Sequence, residues 1–164
     1  MKVLVFGPSG AGKTYVSHAL QKQGINAFDD GDIEGLSSWF DSNGKKVPPP
    51  QTAEEALGNH YSFLWSRKSL AAFLSRFNDV YVFGGSGNLF SVLDLFDKVY
   101  FLKIESQLQR QRLMSPSRPT PLMDRKEEDF VIWGDWLEDE AKKRGIPMVD
   151  ASLTPEQIFE EISK

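Results

Sequence analysis

The sequence predicts an α/β chain built on a five-stranded parallel sheet with helices on both faces. Two observations predict it. Five short apolar runs, "KVLVF" (2–6), "INAF" (25–28), "VYVF" (80–83), "KVYFL" (98–102) and "IPMV" (146–149), are separated by helix-like patterns. Strands that alternate with helices imply crossover connections and hence a parallel sheet. The second observation is "GPSGAGKT", residues 7–14, set between the first apolar run and the pattern "YVSHAL". Its spacing, Gly7, four residues, Gly12, Lys13, Thr14, is that of a phosphate-binding loop, and it stands in the strand-to-helix context such a loop requires.

Within that loop, Gly7, Gly10 and Gly12 let the backbone curl so that N–H groups point inward at phosphate oxygens, with Pro8, Ser9 and Ala11 completing the cradle. Lys13 is expected to reach the β- and γ-phosphates, and the Thr14 hydroxyl to ligate Mg²⁺. The first helix is predicted from Gly12 to about Gln23, because Val16, Ala19 and Leu20 share a face and Gly24 is a natural stop.

The second run leads into "FDDGDIE", with Asp29, Asp30, Asp32 and Glu34. Carboxylates just beyond a strand end can hold a hard cation or take a proton from a hydroxyl. Asp30 and Asp32 are read as functional here, Asp29 and Glu34 as capping or solvated groups. "DSNGKKVPPPQ" (41–51) reads as a loop, and "TAEE" (52–55) as a capping box. That box opens a helical pattern through Leu57, Tyr61, Leu64, Trp65, Phe73 and Phe77, which Gly58 can divide in two. Trp39 and Phe40 are equally suited to core packing or to walling a pocket.

The third run ends in "FGGSGN". Gly84, Gly85 and Gly87 allow a ligand close to the backbone, and a tight turn into the short helix "NLFSVLDLF" needs the same residues. No Asp ends this strand, so any magnesium contact must come from Thr14 and elsewhere. After the fourth run, one of Arg110 and Arg112 is expected to meet the nucleotide, and the sequence does not choose between them. They are two apart and do not share a helical face.

"MSPSRPTPLM" (114–123) has the prolines of a loop. From Arg110 to Lys126 there are five basic residues and one acidic one, in a chain of net charge −4, which points to an anionic partner. Arg118 is the candidate for an arginine that closes over a transferring phosphoryl group, in a lid of about residues 115–122. A helix over 125–144 carries Trp133 and Trp136, expected to fill core or line the underside of that lid. "TPEQ" (154–157) caps a last helix. His18 and His60 have no metal-ligand spacing and read as structural or surface groups.

The 164 residues suit a single domain, 1–164, of ordinary composition, 40% hydrophobic and 26% charged. A net charge of −4 argues against a general nucleic-acid binder. The absence of cysteine excludes a disulfide framework and fits a reducing compartment. No apolar run approaches membrane-spanning length and no leader pattern is evident, so a cytoplasmic protein without a membrane partner is expected, as a monomer or weak dimer.

Taken in order, the phosphate loop, the acidic D-x-D (Asp30-Gly31-Asp32), the Gly-rich turn and Arg118-Pro119 resemble the small P-loop kinases. Shikimate kinase, gluconate kinase and the adenylate-kinase-like nucleotide kinases are the patterns most similar. The segments "FDDGDIEGLSSWFD", "GGSGN" and "LFDKVYFL" resemble more closely a set of small bacterial ATP-binding proteins of that group whose acceptor is unassigned. The resemblance spans nearly the whole chain and implies a three-layer P-loop NTPase fold with a short lid. It implies ATP and Mg²⁺ as cofactors and a small-molecule or nucleotide acceptor. It also implies that Asp30 serves the metal, and that Asp32 touches the acceptor with Gly84, Gly85 and Ser86. Lys13, Asp32 and Arg118 would then be the catalytic groups. Shikimate kinases carry a carboxylate-gripping arginine on the helix after the lid, whereas "EEDFVIWGDWLEDEAKK" is acidic and aromatic, so shikimate is expected to be a poor acceptor. A sensor or ATPase that binds nucleotide without an acceptor is the competing reading.

Overall fold

The computed structural model describes residues 1–118 and 126–164. Its larger sheet holds β1 (Lys2–Phe6), β2 (Ala27–Asp29), β6 (Val80–Phe83), β7 (Lys98–Lys103) and β8 (Met148–Asp150) in the order β2-β6-β1-β7-β8. Every neighbouring pair is parallel. Central β1 is buried on both faces, so its apolar residues divide by alternation. Leu4 and Phe6 join one core cluster with Val80, Val82 and Phe101, while Val3 and Val5 join a second with Tyr81, Phe83 and Leu102.

Helices complete both clusters. On one face lie α1 (Lys13–Lys22), with Val16 and Leu20, and α6 (Pro155–Ile162), with Ile158 and Ile162. On the other lie α3 (Arg67–Leu74), with Leu70 and Leu74, and α5 (Glu127–Lys143), with Leu137 and Ala141. The arrangement is the expected three-layer α/β fold. α4 (Ser106–Leu113) follows β7 and leads toward α5. The cap at Thr154 forms as its pattern predicts, the hydroxyl accepting from the Gln157 N–H and the Gln157 side chain accepting from the Thr154 N–H.

One part of the fold departs from the sequence reading. A second, antiparallel sheet joins β3 (Ser37–Phe40), β4 (Lys46–Val47) and β5 (Ser62–Trp65) in the order β4-β3-β5. β4 lies in the stretch read as loop. β5 lies within the stretch read as helical, which becomes α2 (Ala53–Gly58), a strand, and α3. The Thr52 cap forms, but the helix ends at Gly58 and His60 takes a left-handed turn at φ 54°. Pairing with β3 then decides residues 62–65, and Trp39 packs against Phe63 with ring centroids 5.4 Å apart. Cross-strand aromatic packing of this kind overrides a local helical spacing. The expected helix "NLFSVLDLF" is two separate 3₁₀ turns, Leu89–Ser91 and Leu93–Leu95.

Candidate active site

The phosphate loop is built by close backbone approach. A Cβ at Gly7 would lie 2.7 Å from the Leu102 carbonyl oxygen, so the loop leaves β1 tight against β7. Gly10 and Gly12 have φ of 87° and 92°, a conformation that side chains with a Cβ disfavour. Gly12 is also the N-cap of α1, with no side-chain cap and no acidic residue in the first turn, which leaves the positive helix end open toward the loop. Two later helices brace the loop from behind. Buried Gln109 on α4 donates to the Ser9 carbonyl at 2.9 Å and the Phe130 carbonyl at 3.2 Å. Gly134 on α5 passes so near that a Cβ there would lie 2.9 Å from Pro8 Cβ.

The Lys13 ammonium folds back over this loop and donates to the carbonyls of Gly7 at 2.7 Å and Pro8 at 2.9 Å. Burial pushes its pKa down to about 8, against the upward pull of Asp30 and Asp29, with Arg118 adding to the depression. A lysine held desolvated, with a second cation in range, is disposed to meet an anion.

A cavity of about 500 Å³ opens over the loop, lined by residues 9–16 and by Arg112, Ser115, Ser117, Arg118, Ala151 and Leu153. The structure separates the two arginines of α4. Arg112 lines the cavity and spans it, donating to the carbonyls of Ala11 at 3.1 Å and Ala151 at 3.0 Å. Arg110 points to the surface and pairs with Glu128 at 2.9 Å. Arg118 reaches the cavity from the first part of the expected lid, its guanidinium 5.7 Å from the Phe130 ring centroid. Its Nη1 is buried with no hydrogen-bond partner among the described residues, and burial lowers its pKa. The rest of the expected lid, with Pro119, and also Arg125, lies outside the described residues.

The three aspartates of the acidic turn have three environments. Asp29 accepts from the Thr14 hydroxyl at 2.9 Å and, as the cap of the following 3₁₀ turn, from the Gly31 N–H at 3.3 Å. Its carboxylate and the Thr14 hydroxyl form the oxygen pair nearest the loop, a donor set suited to Mg²⁺ that also coordinates phosphate and water. Asp30 turns the other way, toward the Gly-rich turn. Its Oδ2 accepts from the Gly85 N–H and from the Trp65 indole N–H, each at 3.2 Å. A Cβ on Gly84 would lie 2.3 Å from the Asp30 carboxyl carbon, so only glycine leaves room. Burial raises the Asp30 pKa, the Asp29 charge adds to the rise, and the Gly85 N–H, Lys13 and Trp65 oppose it. Asp32 lies outside this group, half-exposed, 2.5 Å from His18 Nε2 on α1.

One residue that sequence reasoning did not single out, Asn88, completes the arrangement. Asn88 Nδ2 donates to the Trp65 carbonyl at 2.9 Å, and Asn88 Oδ1 accepts from the Trp65 N–H and the Ser86 hydroxyl, each at 2.9 Å. Asn88 thus binds the Trp65 backbone as a neighbouring strand would, and the Gly87 N–H adds a bond to the Phe63 carbonyl at 2.8 Å. The antiparallel sheet is thereby docked on the glycine turn with the Trp65 indole aimed at Asp30. The only available signal was the asparagine that ends "GGSGN".

Trp133 and Trp136 do not fill the core. They stack on each other at the surface of α5, centroids 4.8 Å apart and rings inclined 22°.

The same architecture occurs in solved structures. Deoxyadenosine kinase from M. mycoides with bound dATP aligns with a TM-score of 0.62 at 16% identity over 99% of this chain and 97% of its own. Shikimate kinase from Acinetobacter baumannii in complex with shikimate aligns with a TM-score of 0.59 at 19% identity, over 98% and 92%. A gluconokinase from Sinorhizobium meliloti 1021 gives 0.53 at 16% identity, over 98% and 88%. The chain has the fold of the small P-loop kinases. No protein-family model matches the sequence, and the comparison with curated proteins finds no match. Among the described residues no helix is long and apolar enough to cross a membrane.

Proposed function

We propose that the protein is an ATP- and Mg²⁺-dependent phosphotransferase that moves the γ-phosphoryl group to the hydroxyl of a small-molecule or nucleotide acceptor. Residues 7–14 cradle the phosphates, with Lys13 leaving the Gly7 and Pro8 carbonyls to meet them. Arg112 holds the nucleoside side of the cavity, and Arg118 faces the transferring group, where a guanidinium stabilises charge on the equatorial oxygens. Thr14 and Asp29 would hold Mg²⁺, which neutralises phosphate charge when bound. Asp30 takes the proton of the acceptor hydroxyl as its oxygen bonds to the γ-phosphorus. The bond to the bridging oxygen breaks at the same time, leaving ADP.

This reading differs from the resemblance in the acidic turn. It assigns the metal to Asp29 instead of Asp30, and the acceptor proton to Asp30 instead of Asp32. The reason is geometric: Thr14 meets Asp29, Asp30 faces the glycine turn, and Asp32 is paired with His18.

One observation carries the proposal. The Asp30 carboxylate is part-buried, its pKa is raised by desolvation, and two N–H donors fix it beside the phosphate loop, which is the setting of a group that takes a proton and not of a solvated surface carboxylate. Asp30→Asn tests it. Acceptor-dependent ADP formation is expected to fall by roughly 10²–10⁴-fold, the usual weight of a general base, while affinity for an ATP analogue holds. Asp29→Asn should raise the Mg²⁺ concentration required. ATP turnover that needs no acceptor and is unchanged in Asp30→Asn would instead identify an ATPase or sensor.

A further inference from the structure

Along α5, Phe130, Trp133 and Trp136 recur at intervals of three, so they form one continuous edge of the helix. The edge has two fixed ends. Arg118 lies 5.7 Å from the Phe130 centroid at one of them. At the other, Trp136 meets Phe90 edge-on at 6.5 Å, and Phe90 lies in the 3₁₀ turn after the glycine turn and packs on Phe6 at the end of β1. Gly134, between the two tryptophans, abuts Pro8 of the phosphate loop. The aromatic edge therefore runs from the lid arginine past the loop to the turn that holds Asp30.

The two indoles are 51% and 45% exposed although stacked on each other. Each keeps a large π-face toward solvent, beside a site where water is to be excluded. Charge around the edge selects what can lie on it. Asp135, Glu138, Asp139 and Glu140 share α5 with it. Glu138 is paired with Lys103 and Lys142, and Glu140 with Lys143 and Arg144, and the Arg144 guanidinium also lies 3.9 Å over the Phe90 ring. Lys13 and Arg118, the cations of the cavity, are placed for phosphate.

We infer that this edge is the acceptor's binding wall, and that the acceptor is a neutral compound joining a flat aromatic or heteroaromatic ring to an alcohol, of the nucleoside kind, and not an anionic sugar acid. The inference rests on the proposed phosphotransfer and names the substrate class for the same site. The ring stacks on Trp133 and Trp136, and the alcohol extends to Asp30. Among the described residues the basic side chains of α5 beyond the tryptophans and Arg144 after it are each paired with a carboxylate of the same helix, Lys142 with Glu138 and Lys143 and Arg144 with Glu140, so an acceptor carboxylate has no ready partner there.

The test combines binding with turnover. Tryptophan fluorescence is titrated with deoxyadenosine, thymidine, D-gluconate and shikimate in the presence of a non-hydrolysable ATP analogue and Mg²⁺, and ADP formation is followed with the same four compounds and ATP. Saturable quenching by a nucleoside is expected. Trp133→Leu and Trp136→Leu should each raise the nucleoside's KM and dissociation constant roughly 10-fold or more, the scale of one base–aromatic stack, while kcat and the KM for ATP stay near wild type. Trp133→Phe should recover most of the loss. Transfer to gluconate or shikimate with both nucleosides inert would overturn the inference and leave phosphotransfer standing. So would nucleoside transfer that the leucine variants leave unchanged. Saturable quenching lost in the leucine variants, without transfer to any compound, would uphold the wall and count against phosphotransfer. Absence of quenching while the ATP analogue binds would overturn the wall, as would finding the edge covered by a second protein chain in solution.

Discussion

Replacing Lys13 by methionine separates the lysine's effect on the fold from its effect on the site. In the folded protein the ammonium is buried over the loop with a pKa near 8, against 10.5 for an unburied lysine. Between those two pH values the unfolded chain binds the proton and the folded chain does not. The unfolded state then holds more protons, so stability rises with pH across the window and is flat on either side. At about 1.4 kcal/mol for each pH unit, the full difference is about 3 kcal/mol. The methionine chain lacks this titration and otherwise keeps the ionisable groups of the wild type, so the difference between the two isolates Lys13. Urea unfolding of both proteins at a series of pH values is the assay. Relative to Lys13→Met, the wild type should gain about 3 kcal/mol from below pH 8 to above 10.5. Saturating pyrophosphate should remove most of that gain, because an anion over the loop restores the charged amine. Parallel pH profiles without pyrophosphate, or a gain that pyrophosphate leaves untouched, would refute the reasoning. The same variant should lose roughly 10²–10³-fold in phosphoryl transfer, the weight of one charged transition-state contact.

The two arginines of α4 should behave differently. Arg112→Lys, which cannot bridge the Ala11 and Ala151 carbonyls as a fork does, is expected to weaken ATP binding about 10-fold by calorimetry, on the order of one charge-assisted hydrogen bond. Arg110→Lys, on the exposed Glu128 pair, should leave ATP affinity and stability unchanged within error. Gly84→Ala places a methyl against the Asp30 carboxyl and should cost about 1–3 kcal/mol of stability by urea unfolding. Its loss of acceptor-dependent rate should exceed its loss of ATP affinity, and the reverse order would move Asp30 out of the acceptor side.

The parallel sheet was legible because each of its strands is an apolar run bounded by turn residues, and because burial on both faces leaves such runs no polar alternation to blur them. The capping signatures at Thr52 and Thr154 were legible for a local reason: a hydroxyl and the N–H three residues on satisfy each other without help from the rest of the chain. The antiparallel sheet was not legible. Leu57, Tyr61, Leu64 and Trp65 do recur at helical spacings, but what decides residues 62–65 is β3 on one side and the Asn88 side chain on the other, partners 22 to 28 residues away in sequence. No window along the sequence contains that information.

The same distinction separates the parts of the site. The loop of residues 7–14 is a local device, in which eight consecutive residues contain both the glycine turn and the lysine that folds back over it, so its form was legible from spacing alone. The acidic turn is not local. From "DDGD" a reader sees three equivalent carboxylates, and their difference is made by Thr14, by Trp65 and Gly85, and by His18, each from a different element. Asp29 was read as a cap and is one, yet the oxygen that does not cap is the one that meets Thr14. Capping and ligation therefore need not compete for a carboxylate with two oxygens. The tryptophans of α5 carry the converse lesson. A period of three or four on a helix marks a face without saying which, and here it is Val131, Gly134, Leu137 and Ala141 that turn inward. The small residue on the inward face, Gly134, lets the helix lie against Pro8 and leaves the indoles on the outward side.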